Sequence, residues 1–323
     1  MKKMLLLGGT GFIGREVVRV AQEAGWHVGA LSRSDVGDVL LRGLGATPVR
    51  GDAAEPWGWV EEARGAAVMI DLVQPPLPAR LGRAEIRAVS RLRQVVTRRW
   101  LEALAGLPPA EQPRLLSVSG VDDLEPDGEG RVSHRSALRA RPVGFGHIGI
   151  PVRRLVEASG FGATYVHLGT VYGPGKGFAD HLLPALAERK QPIMGSGANR
   201  LPLVHVSDAA MALVHLAGLD AAVVVGRTFV VSDGAGTTQR ELFENAAGLL
   251  GAKPPRRIPR WLASLIAGRI LVEVMARDVD VDPSALMESG FALRFPTHRE
   301  GMAATVRELG DLLRKSPRHA KQL

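Results

Sequence analysis

Apolar residues fall along this chain in short unbroken bursts, and between the bursts they recur at helical spacing. Met4 to Leu7 is one burst, followed by a glycine-rich turn, a helical pattern from about Gly11 to Ala24, and a second burst from Val28 to Leu31. A strand buried on both faces reads as a continuous apolar run, so this opening predicts a βαβ unit. A third strand, Thr47 to Val49, ends at Gly51 and Asp52, and a fourth, Ala67 to Val73, stops before Pro75 and Pro76. Further strands are predicted at Arg114 to Ser119, Thr164 to Leu168 and Thr228 to Ser232. Strands alternating with helices imply an α/β fold, with a doubly wound parallel sheet covered on both sides.

Between the fourth and fifth strands the pattern predicts one long helix, about Pro78 to Leu104. Arg80, Arg83, Arg87, Arg91 and Arg98 share one side of it, and Leu81, Val89, Leu92 and Val96 the other. The arginine side reads as solvated, or else as a docking surface for an acidic partner or a second subunit. The Arg131 to Arg141 loop and the tail Arg314 to Lys321 read as solvated too. Beyond about residue 171 the pattern breaks into short helices and Pro-Gly punctuation. This predicts a main domain of residues 1–171 and 200–234, and a smaller lobe of 172–199 and 235–323. Pro259 to Gly268 is apolar enough to be buried or to line a pocket, with contact to a membrane surface as the alternative.

Composition narrows the chemistry. The 323 residues are 46% hydrophobic, enough for a full core, and no run approaches the about 20 apolar residues of a membrane span. A cytoplasmic protein is therefore expected. There is no cysteine, and the nine histidines include no pair at zinc-helix spacing, so neither thiol chemistry nor a metal centre is expected. The net charge of +8 suits an anionic ligand, but 5% aromatic residues leave little to stack on bases, and nucleic acid is not an expected partner.

The strongest local signal is Gly8-Gly-Thr-Gly-Phe-Ile-Gly14, directly after a strand and opening a helix. Glycines there let the backbone turn tightly and approach a pyrophosphate, whose charge sits on free N–H groups at the helix start. Gly8, Thr10, Gly11, Phe12, Ile13 and Gly14 are thus candidate dinucleotide-binding residues. Where the second strand ends, an NAD site usually offers an acid to the ribose hydroxyls; here Ser32, Arg33 and Ser34 would hold a 2′-phosphate, favouring NADP over NAD. Asp52 is placed to bond the adenine or to cap its own turn.

These blocks, with Leu168-Gly-Thr-Val-Tyr-Gly-Pro-Gly175, Val204-His-Val-Ser-Asp208 and Phe295-Pro-Thr-His-Arg-Glu-Gly301, resemble the extended or atypical short-chain dehydrogenase/reductases of the NAD-dependent epimerase/dehydratase kind. The resemblance spans nearly the whole chain. It implies a Rossmann sheet with a C-terminal substrate lobe, nicotinamide packing near Gly169 and Val171, further cofactor contacts from Leu72 and Ser117, and a homodimer through the helices after the fourth and fifth strands. It also implies a Tyr-x-x-x-Lys pair, in which the lysine and the cofactor's charge make the phenol a proton donor. Aligning the flanking blocks puts Phe145 at the tyrosine position and Gly149 at the lysine position. The chain has two tyrosines, Tyr165 and Tyr172; Tyr172 does stand four residues before Lys176, but in the later Tyr-Gly-Pro-Gly loop. The resemblance further implies a serine just after the fifth strand, for which Ser119 is the nearer candidate.

Three readings follow. The first is an NADPH-dependent reductase or redox isomerase of a hydrophobic metabolite, its proton coming from His147, Tyr172 or Ser119. The second is a nucleotide-sugar epimerase or dehydratase, and the third a non-catalytic NADP-binding sensor. Sugar-nucleotide members tend to carry an arginine ahead of the Val-x-Val-x-Asp block; the equivalent here is Leu201, with Arg200 beside it, which favours an apolar substrate. Phe145, His181, Arg200 and His205 are the substrate-side candidates. Gly144, Gly146 and Gly149 are expected to loosen the start of their helix and leave an open apolar wall.

Overall fold

The computed structural model describes residues 2–78, 80–175 and 181–315. The first half alternates strictly: β1 (Lys3–Leu7), α1 (Phe12–Glu23), β2 (His27–Ser32), α2 (Asp35–Gly43), β3 (Thr47–Arg50), β4 (Val68–Asp71), α3 (Arg83–Ala105) and β5 (Arg114–Gly120). Then come β6 (Arg131–Val132), α4 (Gly146–Ala158), β7 (Ala163–Leu168), β8 (Thr170–Tyr172), α5 (Leu183–Ala187), β9 (Ile193–Met194), β10 (Leu203–His205), α6 (Val206–Gly218), α7 (Ala221–Val224) and β11 (Thr228–Val231). The chain closes with α8 (Gln239–Leu249), β12 (Arg257–Ile258), α9 (Arg260–Ala267), α10 (Arg269–Ala276), β13 (Asp280–Val281), α11 (Ser284–Glu288) and α12 (His298–Lys315).

Seven strands form one parallel sheet in the order β11-β7-β5-β4-β1-β2-β3, the doubly wound Rossmann arrangement. Each apolar burst is shared between two cores. Met4 and Leu6 of β1 face one side, with Val17 and Val18 of α1 and the apolar face of α6. Leu5 and Leu7 face the other, with Val96, Trp100 and Leu104 of α3. A third core, including Tyr172, Leu183, Leu203 and Phe243, ties the β8–β10 region to α8.

Two predicted segments come out differently. The long helix begins at Arg83, not near Pro78, because three prolines hold residues 75–78 extended and the N–H of Gly82 donates to Glu85 Oε2 in a capping turn. The four expected arginines that lie in it, Arg83, Arg87, Arg91 and Arg98, are exposed, as is Arg80 ahead of it, but so is Leu92, whereas Arg93 is buried. The apolar segment after Pro259 is not buried: Trp261, Leu265 and Ile266 of α9 are 66%, 62% and 69% exposed, because only Ala263 faces inward. Lys176 and the tail from residue 316 lie outside the described residues.

The glycines at the start of α4 tighten it rather than loosen it. Gly144 has φ +49, and a Cβ there would stand 2.2 Å from Asp122 Oδ2; one at Gly146 would stand 2.8 Å from the Asp122 carbonyl oxygen. The helix therefore presses its first turn onto residues 121–123, and Asp122 Oδ2 accepts the Phe145 N–H at 3.0 Å. Pro151 sits inside α4 and deprives the His147 carbonyl of its usual N–H partner. Ser90 of α3 repairs this, its hydroxyl donating to His147 O at 2.7 Å.

Removing that donor should leave a carbonyl unpaired. Ser90→Ala is expected to cost about 1–3 kcal/mol in urea unfolding. In a Pro151→Ala background, where residue 151 regains its N–H, the loss should fall below about 1 kcal/mol. Equal losses in both backgrounds would show that the hydroxyl does not serve this carbonyl.

Candidate active site

The sheet order reverses between β1 and β4, and the crevice at their carboxyl ends is where such sheets take ligands. Gly8 lies there at φ +87, and a Cβ on it would come within 2.9 Å of the Leu72 carbonyl oxygen. At Gly14 a Cβ would stand 2.1 Å from Gly8 O, so the turn closes only with hydrogen in both places. The N-cap of α1 is Gly11, which brings no side-chain acceptor, and the first-turn N–H groups remain open to an outside anion. The residues present therefore fit a dinucleotide pyrophosphate.

At the end of β2 the Arg33 side chain is 75% exposed and lies 3.6 Å from Asp52 Oδ2, a loose pair between two open side chains. Ser32 does not join it. Its hydroxyl is turned inward, donating to Ser34 O and packing against Gly37, because β2 alternates and position 32 faces the core. Ser34 caps α2 through Gly37 N, and Asp52 Oδ1 accepts the N–H of Ala54, the turn-capping role.

A cleft of about 310 Å³ opens beside this crevice. Its walls include Ile13, Leu72, Phe145, Gly169 and Val171, five of the predicted positions, together with Ser119. Leu77, Ile148 and Val152 add apolar surface. Gly169 approaches Pro202 so closely that a Cβ would meet its carbonyl oxygen at 2.0 Å. Ser117 lies two residues down β5 from Ser119 and does not reach the wall. Phe12 and Thr10 point elsewhere: Phe12 packs under Gly175, and Thr10 touches the start of α2.

Five other candidates are not in this cleft. His147 faces away across α4, into a hollow of about 340 Å³ lined by Arg83, Arg87 and Arg269, because two residues along a helix turn the side chain from the Phe145 wall. Tyr172 is 1% exposed in the third core, its ring edge-on to His205 and its hydroxyl against Gly301; burial, with Asp233, Asp208 and Glu300 adding to it, raises its pKa far above the ordinary phenol range. Arg200 is held by Asp278 at 2.8 Å and Asp280 at 3.0 Å, and His181 stands exposed away from the cleft. His205 caps α6, accepting the Ser207 N–H at 3.2 Å, and burial holds its pKa at about 4. It does line a separate cavity of about 410 Å³ between Phe12, Arg15, Arg19 and Arg294, which shares no wall residue with the cleft above Ser119.

Sequence reasoning missed two buried groups behind the cleft. Arg93 of α3 pairs with Asp71 at the end of β4 and donates to Thr97 Oγ1 at 2.7 Å; both ionic partners reach the cleft wall. Arg93 falls on the same helical stripe as Ile86, Val89 and Trp100, and that was the available signal. Behind Ser119 lie Asp123 and His167, 0% and 1% exposed, with His167 Nδ1 3.6 Å from Asp123 Oδ2. Nothing in the local sequence marks them, because β5, the turn after it and β7 meet only in the fold.

No helix among the described residues is long and apolar enough to cross a membrane, and none of their acidic or histidine side chains cluster in a way that could hold a metal. Residues 151–232 match the NAD dependent epimerase/dehydratase family. The chain is 28% identical to ceramide reductase from Caulobacter vibrioides over 249 residues, 77% of this chain and 71% of that one. A human epimerase family protein solved with NADPH superposes with a TM-score of 0.77 at 19% identity, covering 94% of this chain and 99% of that one. UDP-glucose 4-epimerase from Thermus thermophilus, solved with NAD, gives 0.73 at 19%, covering 95% and 99%. These two likenesses bear on fold alone. The glycine turn at the sheet's switch point, the cleft beside it and the sequence match agree: the chain is similar over residues 151–232 to the NAD-dependent epimerase/dehydratase family and is an NAD(P)-dependent oxidoreductase- or epimerase-like enzyme.

Proposed function

We propose that the protein is an NADPH-dependent reductase or redox isomerase of a hydrophobic carbonyl metabolite. The observation that carries this is the cleft above Ser119: its walls are largely apolar, and the one ionic pair among its described lining residues, Arg93 with Asp71, is already made. A sugar diphosphate needs free cations, and Leu201 is buried while Arg200 is neutralised by two aspartates. The relative from Caulobacter, by its name, reduces a lipid, which supports the same substrate class.

Gly8 to Gly14 and the start of α1 would hold the pyrophosphate, and Arg33 the 2′-phosphate. The bound dinucleotide supplies hydride. Ser119, the hydroxyl in the cleft wall, would hold the substrate oxygen by donating a hydrogen bond, which strengthens as charge develops there. The lobe of residues 172–199 and 235–323 would complete the substrate site. Positions 145 and 149, where the family resemblance implies tyrosine and lysine, bring no donor; at 149 even a Cβ would stand 2.1 Å from Ser119 Oγ.

Three measurements check this reading. NADPH oxidation should be seen with long-chain ketones or β-ketoamides and not with UDP-sugars; turnover of a UDP-sugar alone would reverse the assignment. NADPH should bind at least tenfold tighter than NADH, and Arg33→Ala should weaken NADPH by about tenfold or more, the loss of one charge-assisted bond, with NADH unchanged. A tenfold preference for NADH would rule out the Arg33 argument. Reinstating the family pair as Phe145→Tyr with Gly149→Lys should fail to raise turnover and should lower stability by at least about 1–3 kcal/mol, since the new side chain overlaps Ser119 and Asp123; a faster, equally stable variant would show that the site tolerates the pair.

A further inference from the structure

Asp123 is wholly buried, and the Ser119 hydroxyl lies against its carboxyl without the alignment of a full hydrogen bond. A Cβ at position 149 would lie 2.1 Å from Ser119 Oγ and 2.3 Å from each Asp123 oxygen, so hydroxyl and carboxyl share one small space under α4. On the other side His167 Nδ1 is 3.6 Å from Asp123 Oδ2.

The histidine is not the acid. Its Nε2 faces Arg153 Nη1 at 3.1 Å, and a guanidinium only donates. Nε2 therefore accepts, the ring proton sits on Nδ1, and it points to the Gly120 carbonyl at 3.1 Å. Burial holds the imidazole neutral, with a pKa of about 4. Asp122 is turned away, onto the Phe145 N–H and Arg277. The charged and titratable groups around Asp123 are thus Asp122, adjacent in the chain but turned away, Arg153 on α4 and His167 on β7. A carboxyl in so dry a place keeps its proton. Burial pushes its pKa up to about 8; the Ser119 hydroxyl pulls against this, Asp122 adds to it and Arg153 opposes it.

We propose that Asp123 is the proton store of this site, passing its carboxyl proton through the Ser119 hydroxyl to the substrate oxygen. This rests on the reductase reading above. As hydride reaches the carbonyl carbon, the C=O π pair moves onto oxygen, which takes the Ser119 proton; Ser119 Oγ takes the Asp123 proton. The alcohol, the oxidised dinucleotide and an Asp123 carboxylate result. Water admitted when the alcohol leaves returns a proton to Asp123 along the same path. Asp123 acts through Ser119, and the hydrogen at 149 is what lets the two approach.

The test compares wild type with Asp123→Asn, which keeps the shape and a hydrogen-bond donor but has no proton to give. In the protein without cofactor, carboxyl titration by infrared or carbon-13 spectroscopy should show one group changing near pH 8 that the variant lacks. Stability should agree in sign. A carboxyl whose folded pKa is raised makes its contribution in full below the unfolded value near 4 and loses it as pH rises to about 8, so the variant should gain on wild type across that window. With NADPH and a ketone that wild type reduces, kcat/KM should fall above about pH 8 in wild type. In Asp123→Asn, kcat should drop about 100-fold with no such fall, and KM and NADPH affinity should hold. Ser119→Ala should lose as much, and the double variant no more. Identical titrations above neutrality, or a variant with wild-type rate and profile, would overturn the proposal alone. A wild type that reduces none of the ketones fails the reductase reading and takes the relay down with it.

Discussion

The close approach of α4 to the end of β5 is the constraint on which the site depends. Three glycines permit it, and each gap they leave is filled by a polar group of the facing segment: Asp122 at 144 and 146, Ser119 and Asp123 at 149. A helix start with a proline at 151 would ordinarily be a weak element. Here Asp122 and Ser90 supply the missing partners, and the result is a rigid wall that carries Phe145 and Ile148 into the cleft. The same packing excludes a long side chain at 149, where even a Cβ would overlap Ser119 Oγ and the Asp123 carboxyl.

Polarity behind that wall is handled in two opposite ways. Arg93 and Asp71 are buried as a charged pair, which removes two ions from water and is tolerable because Thr97 Oγ1 and the Val73 N–H fill further bonding sites. Asp123 is buried without a counter-ion, and such a group avoids the cost by remaining neutral. Around an apolar cleft, one arrangement pins α3 to β4 and the other keeps a proton within reach of Ser119. His167, held neutral between Arg153 and the Gly120 carbonyl, keeps a positive charge from forming beside Asp123.

Much of the sheet was readable from short segments, since a strand flanked on both faces must be apolar at every position. The bounds of β1, β2 and β7 agree with the apolar bursts to within a residue or two. The glycine turn was readable for the same local reason: Gly8, Gly11 and Gly14 each serve a neighbour only a few residues away, or the adjoining strand end. Misplaced elements were those whose environment is set from afar. Pro259 to Gly268 has the composition of a buried helix but meets the body through Ala263 and through Leu81 bonded to Ala267. Arg200 and His205 looked like ligands for a substrate and Tyr172 like a proton donor because polar or aromatic residues near a motif invite that reading, yet an ion pair, a helix cap and a third core occupy them.

By itself the sequence determined the class of sheet, the glycine turn after β1 and the lack of a side-chain donor at positions 145 and 149, because each follows from residue type and local spacing. Tertiary structure decided which polar side chains meet at the cleft wall and behind it. Ser119, Asp123 and His167 come from β5, the turn beyond it and β7, separated by up to an entire helix along the chain, and only the parallel pairing of β5 with β7 and the descent of α4 bring them together. The physical reason is that burial, not residue identity, makes an ordinary aspartate into a group that holds its proton, and burial is a property of the packed whole.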